Sequence, residues 1–115
     1  MHHTDIILGF AAKLVPLVKD GSKTLTYRLG DKYSFLKSGD TILVEDSSTN
    51  QPFAEIEVTS VSRTTFLDLP LDGKGHETYE SKEKQRKEFE KMYKRPVADD
   101  ETVIVIAFRV VTLLT

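Results

Sequence analysis

The sequence predicts an α+β domain, a small mixed β-barrel of about five to six strands with two peripheral helices. Three observations predict it. Five segments carry strand patterns and two carry helix patterns, without the regular strand–helix alternation that a doubly wound parallel sheet needs. Two of the strand segments are long and change character part-way, as a highly curved sheet requires. At 115 residues there is room for one domain, 1–115, and 39% hydrophobic with 30% charged residues is an ordinary balance for a compact core.

Asp5–Phe10 reads as a short apolar strand. Ala11–Lys19 reads as a helix of two to three turns, with Leu14, Leu17 and Val18 at helical spacing; Pro16 means that it starts there or that an earlier turn kinks. Gly21 suits the left-handed position just past the helix end. Lys23–Leu29 is the next strand. Thr24, Thr26 and Arg28 fall on one face and Leu25, Tyr27 and Leu29 on the other. Gly30–Asp40 is a polar loop pinned by Tyr33 and Phe35–Leu36 through one short helical turn. Thr41–Glu45 is a strand, and Asp46–Pro52 is a turn by composition. Phe53–Leu67 is a long strand whose alternation slips after Val58, which places a bulge near Ser60. Leu69–Gly75 is a loop. Ser81 caps a helix to Tyr93, with Phe89, Met92 and Tyr93 as its apolar residues and Glu83 four before Lys87. Pro96–Asp100 links it to a closing strand, Thr102–Leu114.

No cysteine is present, which removes disulfides, thiol nucleophiles and thiolate metal sites. Only His76 remains as an interior nitrogen ligand, so no metal and no other cofactor is expected. No window approaches eighteen apolar residues, and the N-terminus lacks the pattern of a secretory signal; no membrane partner and a cytoplasmic location are the expectation. His2 and His3, native or the scar of a tag, are left out of the chemistry. The net charge of −2 is unevenly spread. Lys13–Lys37 holds six basic residues against two acids, whereas Ser38–Asp72 holds seven acids against Arg63 alone. The basic block can attract phosphate, or it is simply part of a solvated surface.

That block contains the chemistry. A threonine hydroxyl becomes a nucleophile only when a base takes its proton, and Lys23 can do so only if its pKa is lowered. Arg28 offers fixed donors for a phosphate, a carboxylate or a developing oxyanion. A regular strand would point Lys23 and Thr26 in opposite directions, unless Lys23 still belongs to the turn after Gly21. The simplest reading of this face is a wet side of an antiparallel sheet, with Arg28 paired to a neighbouring acid. His76 and Glu77 read by themselves as loop surface; "HETYE" ends in Glu80 and is not a zinc-protease motif. Neither glycine-rich phosphate fingerprint occurs, and the charged helix reads as a solvated face. Tyr27, Tyr33, Phe35 or Tyr79 could stack on a base, and core packing explains Tyr27 equally well.

The run "VKDGSKTLTYR", followed by "LKSGD" and a strand, resembles the ASCH domain, a relative of the PUA-like RNA-binding barrels. The family pattern Gly-x-Lys-x-x-Thr-x-Arg is met by Gly21, Lys23, Thr26 and Arg28, with Gly39 and Asp40 matching a later Gly-Asp. The resemblance covers nearly the whole chain, including the order of elements. It implies a PUA-like barrel with a cleft beside the first helix. RNA, nucleotides or modified nucleosides are the implied partners, with Lys23, Thr26, Arg28 and Tyr27 as ligand-binding residues. One bacterial branch hydrolyses the acetyl amide of N4-acetylcytidine. That likeness implies Thr26 as nucleophile, Lys23 as base, Arg28 at the oxyanion and Glu77, or Glu80, as the acid that holds the amine or lysine. Another branch is associated with RNA cleavage. A non-catalytic protein-interaction module is the third reading, and it predicts no nucleoside-dependent shift in melting temperature.

Overall fold

The computed structural model describes residues 2–114, with side chains from Ile7 to Leu114. The side chains of His2 and His3 lie outside the described residues. Five strands form one sheet in the order β1-β3-β4-β5-β2. These are β1 (His2–Phe10), β2 (Leu25–Leu29), β3 (Thr41–Asp46), β4 (Gln51–Thr65) and β5 (Thr102–Leu113). β1 runs parallel to β3, and every other pairing is antiparallel. The sheet is mixed, as expected, and it curls into a half-barrel whose two edges are β1 and β2.

The curvature has local causes. Along β4 the pairing with β5 slips between Glu55 and Ile56 and again between Val58 and Ser60, the second at the predicted bulge. Each slip adds twist, so one long strand serves both halves of the curl. The turn before β4 is shorter than its composition suggested. Asn50, at φ 59°, closes it, and Gln51 and Pro52 already belong to the strand.

Pro16 divides the first helix. A 3-10 turn, Ala12–Leu14, precedes an α-helix, α1 (Val15–Lys19), with the proline in its first turn, where no N–H is needed. Gly21, at φ 84°, then reverses the chain. The second helix, α2 (Lys82–Tyr93), starts as predicted: the Ser81 side chain accepts a hydrogen bond from Lys84 N at 3.1 Å. Among the described residues, no helix is long and apolar enough to cross a membrane.

Two apolar clusters hold the molecule. The larger gathers Leu8, Phe10, Val18, Ile42, Val44, Ile56, Ile104, Ile106 and Phe108. The second joins Tyr27, Leu29, Phe66, Val97 and Val103 to Phe89 of α2. Both faces of β2 are therefore packed, and the wet-face expectation for Thr26 and Arg28 is corrected. Thr26 stands opposite Ile106 and Arg28 opposite Ile104, so the polar face of β2 shares the side of the larger core.

α2 is also tethered by polar contacts. Gln85 is fully buried; its Nε2 donates to Pro70 O at 3.1 Å, and its Oε1 accepts from Lys82 Nζ at 2.6 Å. Lys82 also donates to the carbonyls of Phe66 and Leu69. Tyr93 Oη accepts from Leu29 N at 3.1 Å and ties the helix end to β2. Met92, expected on the buried stripe, is instead 58% exposed.

Candidate functional site

The site begins in the turn after α1. Lys23 N donates to Leu17 O at 3.0 Å, so Lys23 still belongs to that turn and β2 starts only at Leu25. The turn lets Lys23 escape the strand's alternation. Its side chain is only 3% exposed, and its ammonium donates to Glu77 Oε2 at 2.7 Å and to Leu25 O at 2.9 Å.

Glu77 comes from 54 residues away and is delivered by the loop before α2. Gly75 O accepts from both Thr24 N (2.9 Å) and Leu25 N (3.2 Å), which registers the loop on the mouth of β2. Gly75 sits at φ 85°, and a Cβ there would lie 2.1 Å from Thr24 Oγ1. Gly75→Ala is therefore expected to cost about 1–2 kcal/mol in backbone strain alone and to loosen the loop, read as a lower urea midpoint.

The His76 side chain is only 6% exposed, not loop surface. Its ring stacks on Tyr27 with centroids 4.0 Å apart and planes 11° from parallel. Its Nδ1 lies 3.0 Å from Glu77 O, a carbonyl that can only accept, so Nδ1 carries the proton. Tyr27 is 4% exposed, so its ring face is closed to a nucleobase by His76. Glu80, the alternative acid, is exposed and pairs with Lys84 at 2.6 Å one turn along; only Glu77 reaches Lys23.

Thr26 is buried, and its Oγ1 accepts from Arg28 Nη1 at 2.6 Å. Arg28 also donates to backbone, from Nη1 to Tyr27 O at 3.1 Å and from Nη2 to Gly9 O at 2.9 Å. Its guanidinium also lies 5.2 Å from the centre of the Phe10 ring. Gly9 and Phe10 belong to β1 and Arg28 to β2, so one side chain clasps the two free edges of the half-barrel. Arg28→Met is expected to lower stability by about 2–3 kcal/mol, measured by urea unfolding, because a charge-assisted bond across the seam is lost. Equal stability of the two proteins would deny the clasp.

The electrostatics follow from this burial. Burial lowers the Lys23 pKa, Glu77 pulls it back up by hydrogen bond and charge, and Arg28 pushes it down again. Burial pushes Glu77 up, but Lys23 and His76 outweigh it and hold the carboxyl below its ordinary value. Burial, then the Lys23 charge, lowers His76 and favours the neutral ring. Burial and the Glu77 charge raise Tyr79 above its ordinary range.

Glu77 opens into a cleft of about 750 Å³. Ala11, Leu14, Tyr79, Phe89 and Met92 give it apolar walls, which accounts for the exposure of Met92. Lys13, Lys84, Lys87 and Lys91 also line it. Lys23 contributes to a second groove of about 550 Å³ beside β5, and the Lys23–Glu77 pair joins the two linings. Among the described residues, no group of three or more His, Asp or Glu side chains could hold a metal.

Comparison with known proteins fits this geometry. The ASCH domain family model matches residues 6–112. The chain belongs to the ASCH domain family.

Among curated proteins, none matches this ASCH domain. It is similar to a solved protein of Enterococcus faecalis V583, with 22% identity, 96% of this chain and 85% of that one covered, and a TM-score of 0.72. An ASCH domain from Lactobacillus crispatus JV V101 is 21% identical over 92% of this chain and 80% of that one, with a TM-score of 0.66. A single-residue variant of ZmASCH from Zymomonas mobilis is 12% identical over 95% and 73%, with a TM-score of 0.63. These likenesses show the PUA-like ASCH fold. Within it, the motif residues form two contacting pairs, Lys23 with Glu77 and Thr26 with Arg28. The charge of Arg28 acts on Lys23 and that of Glu77 on Arg28, so the pairs lie within electrostatic reach of each other.

Proposed function

We propose that this ASCH domain is a small amidohydrolase that removes the acyl group from the exocyclic amine of a modified cytidine, with N4-acetylcytidine as the substrate to test. One observation carries the reading: a lysine almost wholly out of water, held by a carboxylate that opens into a cleft of nucleoside size or larger. A phosphate-binding lysine would instead present its ammonium to solvent.

In this reading the neutral amine of Lys23 takes the proton of Thr26 Oγ as that oxygen attacks the acetyl carbonyl carbon. Arg28 Nη1 already donates to Thr26 Oγ1, which leaves the hydroxyl proton free for a base. As the tetrahedral intermediate forms, Nη1 turns from Thr26 Oγ1 to the oxyanion. The carbon–nitrogen bond breaks, Lys23 returns the proton to the departing amine, and cytidine leaves. Water, deprotonated by Lys23, then attacks the acyl-threonine ester; the carbon–Oγ bond breaks, Lys23 returns the proton to Thr26 Oγ, and acetate leaves. Glu77 holds the lysine throughout.

Incubation with N4-acetylcytidine, followed by chromatography of the nucleosides, is expected to show stoichiometric cytidine release that Thr26→Ala abolishes. No cytidine above background from folded protein would reject this substrate.

Recognition of RNA or a nucleotide without hydrolysis is the second reading. It is favoured by the four lysines lining the cleft, which Glu77, Glu80 and Glu88 also line. Lys84 pairs with Glu80 and Lys87 with Glu83, which leaves Lys13 and Lys91 with no ion pair among the described residues. Lys23, Thr26 and Arg28 would then be contacts behind a phosphate-binding rim, and Tyr27 would act only through His76. Affinity would fall steeply with added salt, and Lys84→Ala with Lys87→Ala would flatten that slope.

A further inference from the structure

The tip of the loop before α2 stands out because two unrelated kinds of contact hold it. Gly75 is fixed by backbone hydrogen bonds to Thr24 and Leu25. The side chain of the next residue, His76, is fixed by a ring stack and one hydrogen bond, and the residue after that is the carboxylate seated on Lys23. The Glu77 carboxylate accepts from Lys23 at 2.7 Å, and its own backbone N–H and the nearby His76 also act on it.

We infer that the Tyr27–His76 ring stack is the positioning device that seats Glu77 on Lys23, with His76 acting through its neighbour and touching no substrate. Four observations converge on it. The rings are parallel and in contact. Gly73 lets the loop pass over Tyr27 so closely that a Cβ there would lie 2.4 Å from the phenol oxygen. The imidazole donates to the carbonyl of Glu77 itself, which fixes the peptide unit from which that side chain leaves. The buried phenol oxygen has no hydrogen-bond partner, so it is the ring of Tyr27, not its hydroxyl, that the loop uses. With His76 sunk onto Tyr27, its Nδ1 lies 3.9 Å from Glu77 Oε2, and the carboxylate beside it is held on Lys23.

This deepens the proposed function, since Glu77 is what holds the base there, but its test does not need turnover. The side-chain 13C resonances of Lys23, followed through a pH titration, report directly whether a carboxylate sits on its ammonium. Glu77 raises the Lys23 pKa, so its departure moves the titration to lower pH. His76→Ala is expected to give that downward shift, matching Glu77→Gln. His76→Phe keeps a flat ring for stacking but loses the bond to Glu77 O, and is expected to shift the titration less than His76→Ala does. Tyr27→Phe keeps the ring and is expected to change nothing. Should His76→Ala fail to fold, Tyr27→Leu removes the ring partner and is expected to shift Lys23 in the same direction. An unshifted Lys23 in the folded alanine or leucine variant overturns the inference, as does a His76→Phe variant shifted as far as His76→Ala. Cytidine release is scored separately, so a protein with the expected titrations and no turnover keeps the positioning role and loses only the substrate.

Discussion

Glu77→Ala is expected to destabilise the domain by about 2–3 kcal/mol at pH 7, and Lys23→Met by much less. The two partners of the pair are not equivalent. Lys23 is 3% exposed, and without Glu77 its ammonium keeps one carbonyl, Leu25 O. A buried cation would then be left without a counter-charge. The Glu77 side chain is 33% exposed, so after Lys23→Met its carboxylate can turn to water in the cleft. The double variant removes both charges and is expected to be more stable than Glu77→Ala alone, a strongly non-additive cycle. The pH dependence has a definite sign. The folded Glu77 pKa lies below its ordinary value, so this carboxylate stabilises the fold fully above that ordinary value. The contribution is lost as pH falls through the folded pKa, and the gap between the original protein and Glu77→Ala closes there. Urea unfolding of the three variants measures all of this; equal losses for both single variants would mean that the pair is not asymmetrically buried.

Lys23→Met is expected to lower kcat/KM for amide hydrolysis by about 10²–10⁴-fold while leaving the fold intact. The base must be neutral to accept the threonine proton. Burial lowers its pKa and Glu77 opposes that, so kcat/KM should rise with pH through a limb below the ordinary lysine value. Glu77→Gln keeps a hydrogen-bond acceptor but removes the charge, and is expected to move that limb to lower pH. A limb unmoved by Glu77→Gln would mean that a group other than Lys23 titrates.

Much of the fold was legible because it rests on local pattern. The Ser81 cap, the slip near Ser60 and the break at Pro16 each follow from a residue and its immediate neighbours. The fate of the polar face of β2 was not local. Whether Thr26 and Arg28 meet water depends on a curl that brings Gly9 and Phe10 across from the far edge of the sheet. His76 was misplaced for the same reason, since its burial depends on Tyr27, remote in sequence. The choice between Glu77 and Glu80 turned on the register of one loop, set by Gly75 against Thr24. Gln85 did leave a signal: it lies four residues before Phe89, on the face that packs against the sheet.

The most direct test is a crystal structure of Lys23→Met, blocked before chemistry, in complex with N4-acetylcytidine. Thr26 is 2% exposed and lines neither cavity, so the expected complex has the cytosine ring between Leu14 and Met92 and the surrounding side chains shifted to let the acetyl carbonyl carbon reach Thr26 Oγ, with Glu77 facing the amide nitrogen. A nucleoside bound elsewhere on the molecule, or with its acetyl group turned away from Thr26, would contradict the assignment of Lys23, Thr26 and Glu77 to one reaction.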